Sequence, residues 1–204
     1  MPNWCNNSIT ITGPADKIKT LWEEANRDAS GLLNAMVPMP SALRGTTSPD
    51  PQPEQANYKG PQPEVDGYTN WYDWAVNNWG CKWDVELEGL EHEDTEDGYA
   101  TISGWFDSPW GPPIEAYNTF LNDNDDVQIT ATYEEGGMDF AGIYEDGSDD
   151  GMDGLSEWCE AVVRGTCSLE DTPQLFQKLD EELDLIECRR ENIEEQIEEE
   201  KETV

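Results

Sequence analysis

The most chemically suggestive spacing in this 204-residue sequence lies in an aspartate- and glycine-rich segment, DGSDDGMDGLSE, at residues 146–157. Oxygen-bearing side chains occupy its first, third, fifth and twelfth positions, and a glycine occupies the sixth. This is the ligand spacing of a twelve-residue calcium loop, in which the glycine permits a sharp turn and the last glutamate can bind through both oxygens. The candidate metal ligands are Asp146, Ser148, Asp150, Met152 and Glu157.

Two features of the same segment argue against calcium binding. Asp153 occupies the eighth position, where an aliphatic residue normally packs, and the residues before the segment have the pattern of a strand. Acidic, glycine-rich sequence also matches this spacing easily by chance. A plain acidic turn with no cofactor is therefore the favoured interpretation, and a Ca²⁺ site is the alternative.

Other residue patterns give weak support for catalysis. The sequence has no GxSxG, Walker-type or HExxH motif, and its single histidine, His92, lies among acids. The five cysteines are scattered without a CxxC pair, which argues against a zinc site and a disulfide framework. Together with an N-terminus that does not resemble a secretory signal, they favour a reducing cytoplasm. We therefore expect a non-enzymatic, cytoplasmic protein.

The net charge of −35 is distributed unevenly along the chain. Residues 1–80 carry nine acids and five bases, whereas residues 81–204 carry 37 acids and six bases. Such a surface repels phosphate groups, which argues against direct binding to nucleic acid or to an anionic membrane, and no apolar run is long enough to span a membrane. The acidity could serve as a solvated surface in a salt-adapted host, attract a basic partner, or collect divalent cations.

The C-terminal segment combines an apolar seam with an acidic face. A helix that begins at Thr172-Pro173 is predicted to continue to about Lys201, with apolar residues at alternating steps of three and four and Arg190 at one core position. A single helix of this kind is not stable alone in water, so it would pack within the monomer or pair with a second copy as a homodimer. The seam consists of Phe176, Leu179, Leu183, Ile186, Ile193 and Ile197.

The acidic face of this predicted helix carries twelve acids and three bases between Asp180 and Glu202. Over about 34 Å of helix this is about one net charge per 4 Å, and two parallel copies would bring it to about one per 2 Å, close to the roughly 1.7 Å spacing of duplex DNA. A paired tail would therefore resemble the phosphate track of DNA. The predicted partner-binding residues are Asp180, Glu181, Asp184, Glu187, Glu191, Glu194, Glu195, Glu198 and Glu199.

The elements that position this tail are organised around a tryptophan-rich stretch, YTNWYDWAVNNWGCKWDVEL, at Tyr68–Leu87. Large apolar residues up to Trp79 fall on one face of a short helix, which Gly80 would terminate. From Trp83 the period changes to two, which predicts a strand at Trp83–Leu87. The tryptophans are predicted mainly to form a core, although such clusters also stack on nucleotides or sugars.

The remaining sequence alternates strands and helices. The order strand, helix, strand, strand, helix, strand predicts an α+β fold with a ferredoxin-like split βαβ antiparallel sheet. The predicted domains are residues 1–145, with an inserted loop and tryptophan-rich helix at about 36–80, and an acidic helical extension at 146–204. Within the insertion, Arg44–Gly67 has the proline and glycine spacing of a long surface loop.

Several short sequence motifs follow one another within about residues 1–145: MPNWCNN, MVPMP, NWYDWAVNNWGCKWD, GWFDSPWGPP and TYEEGGMDFAGIY. Together they resemble the YubB ferredoxin-like family of plasmid- and phage-borne proteins. The resemblance implies a ferredoxin-like fold and a mobile-element origin, and it implies no catalytic residues. The chain departs from the family after about residue 150, where the acidic extension begins.

These patterns together predict a mobile-element protein that binds a basic host protein of defence or repair, one that normally binds nucleic acid, and inhibits it by DNA mimicry. The acidic C-terminal half would be the binding surface. Two alternatives remain open: a passive solvated or salt-adapted domain of unknown role, and a calcium-dependent interaction module.

Overall fold

The computed structural model describes residues 3–27, 30–56, 58–95 and 97–202. These residues form a six-stranded antiparallel sheet and seven α-helices, which confirms the predicted α+β class. Among the helices of the described residues, none combines the length and the apolar character that a membrane crossing needs. The ferredoxin-like subdivision of the fold stays a prediction.

The sheet is built around its long first strand, whose residues alternate between a buried and an exposed face. In chain order the strands are β1 (Trp4–Pro14), β2 (Leu90–Asp94), β3 (Tyr99–Pro109), β4 (Gln128–Glu135), β5 (Phe140–Glu145) and β6 (Ser148–Asp153). Their order across the sheet is β2-β3-β1-β4-β5-β6. The strand β1 therefore lies between β3 and β4 in the middle of the sheet.

Helices cover both faces of the sheet. They are α1 (Ala15–Asn26), α2 (Leu32–Met36), α3 (Trp71–Asn78), α4 (Ile114–Asp123), α5 (Leu155–Val163), α6 (Gln174–Leu183) and α7 (Leu185–Glu202). The first four contribute to a main core with Ile9 and Ile11 of β1. The last three contribute to a second core with Ala141 and Ile143 of β5. Because Tyr144 belongs to the main core and successive strand residues point to opposite faces, the two cores lie on opposite sides of the sheet.

Several predicted elements of the insertion are confirmed. The tryptophan-rich helix is α3, and Gly80 follows it with a φ of 86°, the left-handed conformation expected after a helix end. Within Arg44–Gly67 the described residues form no helix and no ladder strand, as predicted for a surface loop. Asn57 lies outside the described residues.

The predicted strand at Trp83–Leu87 is wrong. These residues form an irregular segment, and the strand of this region is β2. The cause is Asp84, whose carboxylate accepts the backbone N–H groups of Leu33 and Asn34 at 2.8 and 2.9 Å. Because Asp84 also turns inward, the strict alternation is broken: Trp83 is 39% exposed instead of buried, while Val85 remains buried.

The segment considered as an alternative calcium loop forms a turn and a strand. Asp146 and Gly147, with φ of 45° and 97°, make a two-residue turn between β5 and β6, which extends the sheet by one strand beyond the predicted last one. A dipeptide of aspartate and glycine suits such a turn because both positions need positive φ. The acidic extension therefore begins with a strand of the sheet.

The predicted continuous C-terminal helix is also wrong, because it breaks at Asp184. This residue has φ 51° and ψ 39°, a left-handed conformation that aspartate tolerates better than most residues. The carboxylate of Asp180 accepts the N–H of Ile186 at 2.8 Å and satisfies one donor at the start of α7. The break gives two helices, α6 and α7, which both contribute to the second core.

Candidate functional site

The predicted partner-binding acids lie mainly on the exposed side of α7, which we call the acidic helix face. Two predicted residues lie on α6: Glu181 is exposed, whereas Asp180 is half-buried and has the structural role described above. Asp184 is exposed at the break between the helices. The remaining predicted residues are exposed along α7: Glu187, Glu191, Glu194, Glu195, Glu198 and Glu199.

The opposite side of these helices is fixed in the protein. All six predicted seam residues belong to or pack against the second core, either buried or half-buried: Phe176, Leu179, Leu183, Ile186, Ile193 and Ile197. The seam therefore packs within the monomer, which is one of the two arrangements that the sequence allowed. A homodimer through the same residues would require them to leave this core. The charge density expected for two parallel helices therefore does not apply to this structure.

Arginine side chains hold α7 at both ends of its exposed face. Arg164, just after α5, donates two hydrogen bonds of 2.9 Å to the carboxylate of Glu200. This contact lowers the pKa of Glu200. Nearer the start of α7, Arg189 forms an ion pair with Glu134 of β4. These contacts tie the acidic helix face to α5 and to the sheet.

A second surface feature is a groove lined by three exposed tryptophans, which we call the tryptophan groove. Its volume is about 430 Å³, and its aromatic walls are Trp4, Trp83 and Trp105, whose exposed fractions are 49, 39 and 64%. The ring centroids of Trp4 and Trp83 are 6.2 Å apart, with planes inclined by 35°. Carboxylates also line the groove: Asp84, Glu86, Glu88 and Asp107.

The groove is positioned by two close backbone contacts and one buried carboxylate. Trp105 donates its backbone N–H to the carbonyl of Gly89, and its indole lies so close to Gly89 that a Cβ there would be 2.9 Å from the ring. Asp84 anchors the segment that carries Trp83. Burial raises the pKa of Asp84, although the backbone N–H groups that it accepts oppose this shift. Glycine at position 89 and the inward carboxylate therefore fix the two walls.

A cation lies over the ring of one groove tryptophan, Trp83, although Lys82 does not itself line the groove. The ammonium nitrogen of Lys82 is 4.3 Å from the ring centroid of Trp83 and 5.7 Å from that of Tyr72. These are distances at which the negative face of an aromatic ring attracts a cation. The chemistry of the groove is therefore that of aromatic faces surrounded by carboxylates.

The tryptophan groove and the acidic helix face lie on the same side of the sheet. One row of paired residues crosses the strands from Trp105 through Ser8 and Thr132 to Ile143, which belongs to the second core. Paired residues in neighbouring strands share a face, and neighbouring strands are about 4.8 Å apart. The backbone of the groove is therefore about 15 Å from the strand on which α5–α7 pack.

The predicted metal ligands do not converge on one point. Ser148, Asp150 and Met152 lie at alternate positions of β6, so their backbones are about 7 Å apart in succession. The carboxylate of Asp146 instead accepts the backbone N–H of Ile129 at 2.8 Å. Glu157 lies in the first turn of α5. In the part of the chain that the structure describes, no three His, Cys, Asp or Glu side chains are grouped to hold a metal ion.

The buried thiols near the main core are poorly suited to nucleophilic chemistry. Burial raises the pKa of Cys5 and of Cys81 to about 12, so both thiols are protonated at neutral pH. All five cysteines are free. The buried thiols of Cys5 and Cys81 therefore behave as small apolar side chains.

The exposure of two of the three groove tryptophans, Trp4 and Trp83, was not predicted from the sequence. The outward direction of Trp4 was visible, because it is out of phase with the buried Cys5, Ile9 and Ile11 of the same strand. The exposure of Trp83 carried no local signal, since it depends on the long-range bonds of Asp84.

No protein-family model matches this chain, and no curated protein matches it. A solved structure that is similar in part is that of a protein api92 from Yersinia pseudotuberculosis, described with the family model DUF1281. The identity is 20%, the match covers 44% of this chain and 32% of that chain, and the TM-score is 0.30. The matched part is thus about a third of that protein's length, and a similarity this low carries no argument about function.

Proposed function

We propose that this chain is a non-enzymatic protein that binds a basic, nucleic-acid-binding partner and competes with DNA for the partner's binding groove. The observation that supports this proposal is the acidic helix face. It is a row of exposed carboxylates on a helix whose other side is fixed in the second core.

Rigid anchoring distinguishes this face from a disordered acidic tail. Leu185, Ile186 and Ile193 are buried beneath it, and Arg164 holds its far end through Glu200. Charges that are already in place lose little conformational freedom when a partner binds. They also attract a basic protein over a distance set by the salt concentration and raise the association rate.

The proposed mimicry now depends on one copy of the chain. Helix α7 carries eight acids and three bases over 18 residues, or about 27 Å, which is sparser than the phosphates of duplex DNA. Exposed carboxylates of neighbouring elements broaden the array, among them Glu157 of α5, Glu182 of α6 and Asp150 of β6. A groove wide enough for a duplex would meet several of these elements at once.

The resemblance to plasmid- and phage-borne proteins supplies the proposed setting. A mobile element benefits when a host defence or repair protein is kept away from DNA, and the host cytoplasm is where the two would meet. The ferredoxin-like domain would act as the scaffold that presents the acidic helix face.

The test compares two variants that change net charge equally. In the first, Glu191, Glu195 and Glu198, which follow one another on the exposed side of α7, are replaced by Lys. In the control, three exposed acids of the first 80 residues are replaced by Lys: Glu23, Glu54 and Glu64. Each tagged chain is used to retain proteins from a bacterial lysate at rising salt, and each retained protein is assayed for binding to duplex DNA.

We expect the unaltered chain and the control to retain the same DNA-binding protein, and the α7 variant to release it at lower salt, because fewer charge contacts remain. The retained protein should lose its DNA when the chain is added. Equal retention by all three chains would indicate that the acidic helix face is not the binding surface. Loss of retention in both variants would indicate that only overall charge matters, as in a passive solvated domain.

A further inference from the structure

We infer that the tryptophan groove binds an arginine side chain of the basic partner, so that the partner contacts two surfaces on one side of the sheet. This inference rests on the proposed function, since it identifies part of what the partner must present. It rests on the shape of the groove, on its charge and on its place in the sheet.

The shape of the groove suits a flat cation. Trp4, Trp83 and Trp105 expose their indoles around a volume of about 430 Å³, and two of the rings are inclined by only 35°. The guanidinium group of arginine is planar, stacks on aromatic faces and is more weakly hydrated than an ammonium group. It can therefore leave water and stack on an exposed indole at a lower cost than lysine.

The charge of the groove also favours a cation. Glu86, Glu88 and Asp107 are exposed at its rim, whereas Asp84 is engaged by backbone N–H groups and is not counted as a ligand. A guanidinium stacked on an indole of the groove could donate N–H groups to carboxylates at the rim, which adds direction to the aromatic attraction. A neutral sugar would also stack on tryptophan and could donate its hydroxyl groups to the carboxylates, but it would gain no charge attraction from them.

Lys82 shows that a cation can lie over one of these rings, because its ammonium group is 4.3 Å from the ring centroid of Trp83. An arginine from a partner would therefore bind near this positive charge. The same lysine repels an incoming cation. Removing its charge should therefore strengthen arginine binding, an effect opposite to that expected for an ordinary loss of contact.

The place of the groove makes joint binding feasible. Between it and α6 lies an uncovered strip of the sheet that includes Ser8 and Thr132, beside Lys178 and Glu182 of α6. The span of about 15 Å across this strip is the length of about five extended residues. One basic segment of a partner could therefore reach from α6 to the tryptophan groove.

The experiment uses a fluorescent hexa-arginine peptide and its hexa-citrulline counterpart, which has the same shape without the charge. Affinities are measured by anisotropy at about 0.15 M salt for the full chain and for Trp105→Ala. Trp110→Ala is the matched control, since Trp110 is 55% exposed and does not line the groove. Circular dichroism checks that each variant is folded.

We expect Trp105→Ala to weaken hexa-arginine binding about tenfold, Trp110→Ala to leave it unchanged, and the citrulline peptide to bind poorly. Asp107→Asn should weaken binding by a smaller factor, and Lys82→Met should strengthen it. In the unaltered protein, the indole N–H signal of Trp105 should shift on peptide addition, a readout that does not depend on any variant.

Two results would overturn the inference. One is hexa-arginine binding that Trp105→Ala leaves intact and that the α7 charge variant alone removes. The other is a shift of the Trp105 signal by a neutral oligosaccharide and not by the peptide, which would make the groove a sugar site. Failure of the proposed function looks different, because the groove would bind the peptide normally while the chain would displace no DNA from a retained partner.

Discussion

Replacing Trp74 by alanine is expected to lower the free energy of unfolding by about 3–5 kcal/mol, whereas the same change at Trp105 should lower it by about 1–2 kcal/mol. Trp74 is 4% exposed and packs edge-to-face on Trp79, with ring centroids 5.4 Å apart. Trp105 is 64% exposed at the tryptophan groove. Comparing the two variants therefore distinguishes a tryptophan that forms the core from one that is available to a ligand.

The difference follows from the area that each side chain withdraws from water. A fully buried tryptophan covers up to about 250 Å², and its truncation also leaves a cavity. Trp105 withdraws about a third of that area, roughly 90 Å², which corresponds to about 2 kcal/mol at about 25 cal/mol per Å² as an upper value. Trp74 loses in addition the edge-to-face contact, which is worth about 0.5–1.5 kcal/mol.

The assay is urea unfolding followed by far-ultraviolet circular dichroism, because fluorescence would itself change with each tryptophan removed. A shift of the midpoint at constant slope reports stability. Equal losses for the two variants would refute the reasoning, since Trp105 would then be a core residue and the tryptophan groove would not be an open surface. A loss below about 1 kcal/mol for Trp74→Ala would refute the core role of the tryptophan-rich helix.

Further outcomes follow from the structure of residues 146–202. Asp180→Ala should cost about 0.5–2 kcal/mol in urea unfolding through loss of its bond to α7, and the neighbouring exposed Glu181→Ala should cost much less. Leu179→Asp should unfold or strongly destabilise the chain, because Leu179 is fully buried. The sedimentation coefficient of the unaltered protein should not change with concentration, because the seam is covered within the monomer. Because Arg164 lowers the pKa of Glu200 from its ordinary 4.5, their pair should stabilise above that pH, and the melting-temperature difference between the unaltered chain and Glu200→Gln should vanish as pH falls through the lowered pKa. Calcium should raise the melting temperature no more than magnesium, since β6 separates the predicted ligands.

The faces of the long strands could be predicted from the sequence because each strand carries its own period. In β1 and β3, residues such as Ile9, Ile11 and Ile102 alternate with polar residues, and this pattern alone sets the buried face. The outward direction of Trp105 follows from the same alternation. Amphipathic helices such as α1 are equally visible because their buried residues recur with a helical period.

The irregular segment at Trp83 could not be predicted, because its conformation is decided by distant residues. The sequence from Trp83 to Leu87 alternates as a strand would. The carboxylate of Asp84 nevertheless turns inward, because it accepts hydrogen bonds from the backbone N–H groups of Leu33 and Asn34. These residues are about 50 positions earlier in the chain. No local period records such a contact.

The acidic extension is a different case, since the sequence there supports two interpretations. Asp146-Gly147 fits the start of a calcium loop and also a two-residue hairpin turn. The turn forms because β6 pairs with β5. The heptad pattern continues across Asp184 without interruption, and only its left-handed backbone divides the helix. The sequence could therefore predict that the exposed side of α7 is acidic, but not whether the seam beneath it is shared with a second copy.

The most direct test of the central claim is a competition titration with the retained partner. Labelled duplex DNA is bound to that protein at low salt, and the chain is added while anisotropy reports the bound fraction. We predict full displacement of the DNA, at least tenfold weaker competition by the Glu191, Glu195 and Glu198 to Lys variant, and a competition strength that falls as salt rises. A stable complex of partner, DNA and chain together at low salt would contradict DNA mimicry, because two polyanions cannot occupy one groove.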